Sequence, residues 1–287
     1  MNKEILTLIE DVSPSFSKGQ RSIAKYIMEN YDKAAFMTAS KLGQVVDVSE
    51  STVVRFAAEL GYDGYPEMRR ALQDMVRNRL TSVQRIKVAK DLMESQDILS
   101  LVLSSDIDQI RMTLEETNRA DFEAAVDAIV NAGSIYICGL RSTSALANFI
   151  GFYYGLLFAN VHVINGSSAS DVFEQILRIT EGDVFIAMSY PRYSQRTIKA
   201  MRYAHEMGAT VIGMTDTQAS PIAKLADIPL YARSDMISFL DTLVAPLSLV
   251  NALIVATSAK VKGDLFSNFE KLEGIWEEYG VYEKRDI

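Results

Sequence analysis

Apolar positions along the chain change rhythm once, near residue 107. Before it they recur at steps of three and four: Ile23, Tyr26, Ile27 and Tyr31, then Ala39, Leu42, Val45 and Val46, then Val53, Phe56, Ala57 and Leu60. That is the repeat of amphipathic helices, each burying one stripe. Beyond it, helical stretches alternate with short unbroken apolar runs at Ile135–Cys138, Val161–Ile164, Val184–Met188, Val211–Met214 and Ile228–Tyr231. Unbroken runs, rather than alternating ones, predict strands covered on both faces, and each interval leaves room for a crossover helix. The expected class is α/β: an N-terminal all-α domain over residues 1–79, a helical connector over 80–106 without strand pattern, and a doubly wound five-stranded parallel domain over 107–287.

The helical block carries its own punctuation. Ser17-Lys18-Gly19-Gln20 reads as a capping box, and Pro66 is placed to start a helix carrying Arg69, Arg70, Arg77 and Arg79. Thr38–Gly61 reads as two short helices sharing a core, broken at Asp47-Val48-Ser49, with Ser49 as the cap of the second and Gly61 as its end. Ser51, Thr52, Arg55 and Glu59 are left outward. A helix-turn-helix inserts the N-terminal part of its second helix into the major groove, which makes Ser49, Ser51, Thr52 and Arg55 candidates for DNA contact. Lys41 and Arg21 are placed to clamp the phosphate backbone.

Charge changes that picture. The net charge is −8 and the acidic excess lies beyond residue 80, so bulk attraction cannot hold DNA. A local patch and a second copy of the chain are needed. One cysteine, Cys138, excludes an intramolecular disulfide and reads as a core residue. With only His162 and His205, both read as structural, no metal site is expected, and no cofactor. The N-terminus lacks the apolar core of a signal peptide, and Asp241, Pro246 and Asn251 interrupt the nearest thing to a membrane span, Phe239–Ala256, which reads as a buried helix. The expected location is cytoplasmic.

Candidate chemistry in the second half sits where strands run into helices. Cys138-Gly139-Leu140-Arg141-Ser142-Thr143-Ser144-Ala145 and Met188-Ser189-Tyr190-Pro191-Arg192-Tyr193-Ser194-Gln195 each join hydroxyls and one arginine to a helix N-terminus. Free backbone N–H groups, hydroxyls and a guanidinium suit a phosphate or carboxylate. The candidate ligand residues are Gly139, Arg141, Ser142, Thr143, Ser189, Arg192, Tyr193 and Ser194.

The run VVRFAAELGYDGYPEMRRAL, Val53–Leu72, with Ser49-Glu50-Ser51-Thr52 before it, resembles the N-terminal domain of the RpiR family of bacterial transcriptional regulators. The resemblance implies a winged-type helix-turn-helix domain followed by a sugar isomerase (SIS) domain that senses a phosphorylated sugar. SIS domains have a Gly-x-Gly-x-Ser type loop after the first strand and a Ser-x-Ser-Gly-x-Thr type loop after a later one. Here Gly139 matches the first glycine, Arg141 stands at the second, and Ser142 or Thr143 supplies the hydroxyl. Ser189 matches the first serine of the other loop, Pro191 and Arg192 replace its Ser-Gly, and Ser194 stands for its threonine. Ala219–Asp227 resembles the SIS segment before the last strand.

The expected function is a DNA-binding regulator controlled by a phosphorylated or acidic sugar, with operator DNA as partner. The apolar helix Leu240–Ala256 is expected to help form a homo-oligomer, a dimer or dimer of dimers. The alternative is a sugar-phosphate isomerase or lyase on the same scaffold, which needs a general acid and base beside the sugar. Neither loop contains Glu, Asp or His, so no catalytic residue is assigned; Asp171, Glu174 and Asp216 are the carboxylates that could approach from elsewhere.

Overall fold

A computed structural model of the chain describes residues 5–77, 81, 83–86, 97–166, 168–236, 240–261 and 265–282. Arg79 and part of the expected connector, residues 80, 82 and 87–96, lie outside them, as does the side chain of Arg77. The chain divides into two compact units, Met1–Asp106 with Asp235–Thr242, and Ile107–Ser234 with Leu243–Ile287.

The first unit is helical: α1 (Ile5–Val12), α2 (Lys18–Glu29), α3 (Tyr31–Ala34), α4 (Ala39–Val45), α5 (Glu50–Glu59) and α6 (Tyr65–Arg77). Its core is the stripes read above, with Ile23, Ile27, Leu42, Val53, Phe56 and Ala57 all fully buried. The capping box opens α2, Ser17 accepting from the Gln20 N–H and the Gln20 side chain accepting from the Ser17 N–H. Three expectations are corrected. The second helix stops at Glu29, and Tyr31 opens the separate α3 instead of extending the stripe. Val45 is 44% exposed, because Val46 ends α4 and the chain turns away before Val45 can face α5. Among the described residues of this unit no strand occurs outside one isolated bridge, Met236 to Asp241, so those residues form no β wing.

The segment Asp235–Thr242 groups with these helices although it follows the last strand of the sheet. Met236 packs on the helical core, Thr242 Oγ1 donates to Asp106 at 2.8 Å, and Arg85, 1% exposed, bonds Asp241 through Nη1 at 2.8 Å.

After α7 (Ile98–Glu116) and α8 (Arg119–Val130) the second unit holds β1 (Ile135–Gly139), α9 (Ser144–Leu157), β2 (Val161–Ile164), α10 (Ala169–Ile176), β3 (Val184–Met188), α11 (Gln195–Glu206), β4 (Thr210–Thr215), β5 (Ile228–Tyr231), α12 (Val244–Lys260) and α13 (Leu265–Glu278). All strand pairs are parallel, in the order β2-β1-β3-β4-β5. Alternate strand residues feed two cores. Ile135, Ile137, Val184 and Ile186 face α8, α9 and α12, while Tyr136, Cys138, Phe185 and Ala187 face α10 and α11. Both faces are covered at the central β1, β3 and β4, while the edge strands β2 and β5 are only partly buried, short of the expectation. Burial pushes the Cys138 thiol up to about 12, so it is an inert core residue. The helix expected from Leu240 begins at Val244, since Asp241 and Thr242 are held by Arg85 and Asp106.

Candidate functional site

The helix-turn-helix is closed by two backbone devices. Asp47 takes φ 56°, a left-handed conformation that Asp tolerates better than most residues. Gly43 is needed one turn earlier, because a Cβ there would lie 2.7 Å from the Val48 carbonyl oxygen. Ser49 then caps α5, its hydroxyl accepting from the Thr52 N–H at 3.3 Å and meeting the Ser51 and Thr52 hydroxyls at 2.9 and 2.8 Å. Ser51 and Arg55 are exposed, Thr52 is half-buried, and Arg55 Nε donates to the Ser51 carbonyl.

Lys41 and Arg21 are exposed on α4 and α2, Arg21 Nε donating to the Phe16 carbonyl. Glu59 is drawn sideways, accepting from Gln20 Nε2 and Ser15 Oγ. The outward stripe of α5 is therefore Ser51, Val54, Arg55 and Ala58. Val54, 41% exposed, was not among the candidates. Its signal was in the spacing, three residues after Ser51, and an apolar side chain there suits a thymine methyl.

The sheet order reverses between β1 and β3, and both candidate loops leave the carboxyl ends of those two strands, where Gly139 pairs with Met188. In open α/β sheets that crevice is where ligands bind. The loops are stitched together. Thr143, buried, donates its hydroxyl to the carbonyls of Leu140 at 2.9 Å and Met188 at 3.1 Å. Ser189, also buried, accepts from the Ser194 N–H at 3.0 Å and donates its own N–H to the Met214 carbonyl. Ser194 caps α11 by accepting from Thr197. Thr143 and Ser189 thus hold the loops in shape, while Arg141, Ser142 and Arg192 stand exposed at the rim.

Both arginines are in left-handed conformations, with φ 61° at Arg141 and 66° at Arg192. Each costs on the order of 1 kcal/mol and persists only when its surroundings over-determine it. At Arg141 the fixing groups are the Ser144 N–H and hydroxyl, both donating to its carbonyl. At Arg192 they are the Ser189 to Ser194 closure and the neighbouring Tyr193, whose hydroxyl donates to Asp216 Oδ1 at 2.8 Å.

The same loop holds a polar group not foreseen from the sequence. The Tyr190 hydroxyl is buried with no hydrogen-bond partner among the described residues. Burial, and after it the charge of Asp216, push its phenol far above the ordinary value, so it stays protonated. Tyr190→Phe is expected to leave the ligand-free protein equally stable or up to about 1 kcal/mol more stable, because the lost hydroxyl satisfies nothing. Hydrogen exchange at the β3 and α11 amides checks this, and a loss of more than about 2 kcal/mol would mean the hydroxyl is bonded.

The three carboxylates of the enzymatic alternative lie on different elements, with Asp216 beside the β3 loop. Asp171 closes a capping box with Ser168, Glu174 is exposed on α10, and Asp216 accepts from Tyr193 and Thr215. His205 faces solvent, off the apolar stripe of α11 and 3.4 Å from Asp227, while His162 stacks on Tyr136. Among the described residues no group of three or more His, Cys, Asp or Glu is placed to hold a metal, and no helix is long and apolar enough to cross a membrane.

Comparison with known proteins covers both units. Residues 3–79 match the model of the helix-turn-helix domain of the rpiR family, and residues 128–256 match that of the SIS domain. The HTH-type transcriptional regulator HexR of Pseudomonas aeruginosa is 26% identical over 267 residues, 90% of each chain. The sugar isomerase domain of an RpiR transcription factor from Sphaerobacter thermophilus is 26% identical, with TM-score 0.58 over 62% of this chain and 99% of its own. The Vibrio vulnificus NanR protein complexed with ManNAc-6P shares the fold at 21% identity, with TM-score 0.58 over 96% of this chain and 98% of its own. With the helix-turn-helix domain of the rpiR family ahead of a SIS domain, and with an HTH-type transcriptional regulator aligned along 90% of its length, the chain belongs to the RpiR family of transcriptional regulators.

Proposed function

We propose that the protein binds operator DNA as a homodimer through the outward stripe of α5, and that a phosphorylated sugar held by the β1 and β3 loops sets its operator affinity. The observation that carries the reading is the exposed row Ser51, Val54 and Arg55 at the N-terminal half of a capped helix. Hydroxyl, apolar and guanidinium groups in that order suit phosphate, thymine methyl and guanine. The paired anion-ready loops support the effector half, and a phosphosugar is also what NanR is complexed with. Ligand acts by binding one dimer geometry better than another, which changes the population competent for DNA.

Fluorescence anisotropy with DNA from upstream of the protein's own gene tests this. Binding is expected to be specific and to weaken steeply with salt. Arg55→Ala is expected to cost about 1–3 kcal/mol of operator binding with the fold intact. Operator affinity unchanged by Arg55→Ala sinks the assignment of α5. Turnover of any phosphosugar at an ordinary enzymatic rate favours the isomerase or lyase instead.

A further inference from the structure

We propose that Arg141 reads a second anionic group on the effector, so that the ligand is a phosphorylated sugar acid and not the phosphate of a neutral sugar. The inference rests on the phosphosugar reading above. It starts from backbone strain, since Arg141 and Arg192 hold φ 61° and 66°, where glycine would be unstrained. A loop that only had to curl its amides around a phosphate would be served best by glycine at both positions. An arginine kept there offsets its strain through what the guanidinium binds.

The two guanidinia have different surroundings. Arg192 follows β3, whose other neighbour is β4, and the buried carboxylate of Asp216 follows β4 and accepts from Tyr193, the residue beside Arg192. Arg192 therefore works next to a negative charge. Arg141 follows β1, two strands from β4, which is about 10 Å by ordinary strand spacing. From Gly139 to Ala147 the chain contains no acidic residue.

A phosphate monoester carries roughly two negative charges at neutral pH. The N-termini of α9 and α11, each worth about half a positive charge, together with Ser142, Ser194 and Arg192, meet that demand between the two loops. Arg141 remains over for another anion. A carboxylate matches its planar fork in two parallel hydrogen bonds, which a sugar hydroxyl cannot do.

The test is calorimetry on the full chain with pairs related by oxidation of C1 from the aldehyde level to a carboxylate, of which the erythrose pair is open-chain in both members. The pairs are glucose and gluconate 6-phosphate, arabinose and arabinonate 5-phosphate, and erythrose and erythronate 4-phosphate. In at least one pair the acid is expected to bind about tenfold tighter or more. Arg141→Gly should bring that ratio to within about twofold, because only the acid loses a charge-assisted pair to its carboxylate. Hydrogen exchange at its α9 amides should stay as well protected, since glycine suits φ 61°, so lost preference is not lost fold. Arg192→Gly should weaken both members of the pair alike. Equal affinities in every pair, or an acid preference surviving in Arg141→Gly, overturns the inference and leaves the phosphosugar reading standing. Binding of none of the six compounds overturns both.

Discussion

Arg85→Ala is expected to destabilise the helical unit by about 3–5 kcal/mol, the range for breaking a buried ion pair from one side. The Arg85 side chain is 1% exposed, and its Nη1 lies 2.8 Å from Asp241 Oδ2, whose own side chain is 17% exposed. Removing the guanidinium takes the cation away from a carboxylate that water reaches only partly, and leaves a cavity where its stem was packed. The lower end of the range is expected, because the carboxylate keeps some solvation. Replacing both partners together, Arg85→Met with Asp241→Leu, should recover most of the loss, as apolar pairs of similar volume do.

With two units in the chain, a single unfolding midpoint is not a clean measure. Hydrogen exchange at the α4, α5 and α6 amides reads the helical unit directly. Unchanged protection in Arg85→Ala would show that the pair contributes nothing. Loss of operator binding should accompany loss of protection, since α5 belongs to the same core.

Gly139→Ala is expected to cost about 1–3 kcal/mol of stability in the sheet unit and to lower phosphosugar affinity more than tenfold. The added Cβ would stand 2.5 Å from the Thr143 carbonyl oxygen and 3.0 Å from the Ala147 Cβ. Backbone cannot yield cheaply there. Gly139 is paired with Met188, and the Thr143 hydroxyl ties its own loop to the Met188 carbonyl. Relief therefore moves Arg141 and Ser142 out of register with the β3 loop. Gly155→Ala on the same helix-bearing segment is the comparison. It meets nothing within 4 Å and should stabilise α9 by about 0.5–1 kcal/mol. Equal ligand affinity in both variants would mean that the β1 loop does not form the site.

Periodicity by itself determined the class of this protein, because burial of one stripe or of both faces leaves a local trace at 3.6 residues or in unbroken apolar runs. All five strands and the two helices of the helix-turn-helix lie within a residue or two of where the pattern puts them. Caps were equally legible, since Ser17 and Ser49 act on amides three residues away. So were the two loops as places, because a strand end running into a helix start is a local event.

Only the tertiary structure decided what those places are like. The Arg85 and Asp241 partners are 156 residues apart, and nothing near either residue announces the other. The left-handed φ of Arg141 and Arg192 depends on closures through Thr143, Ser144, Ser189 and Ser194, and sequence shows only that a glycine is missing. Val45 turned outward and Tyr31 left its helix because chain direction at a helix end is set by what packs around it. The Tyr190 hydroxyl is unsatisfied for the same reason, since satisfaction of a buried group depends on every element packed around it.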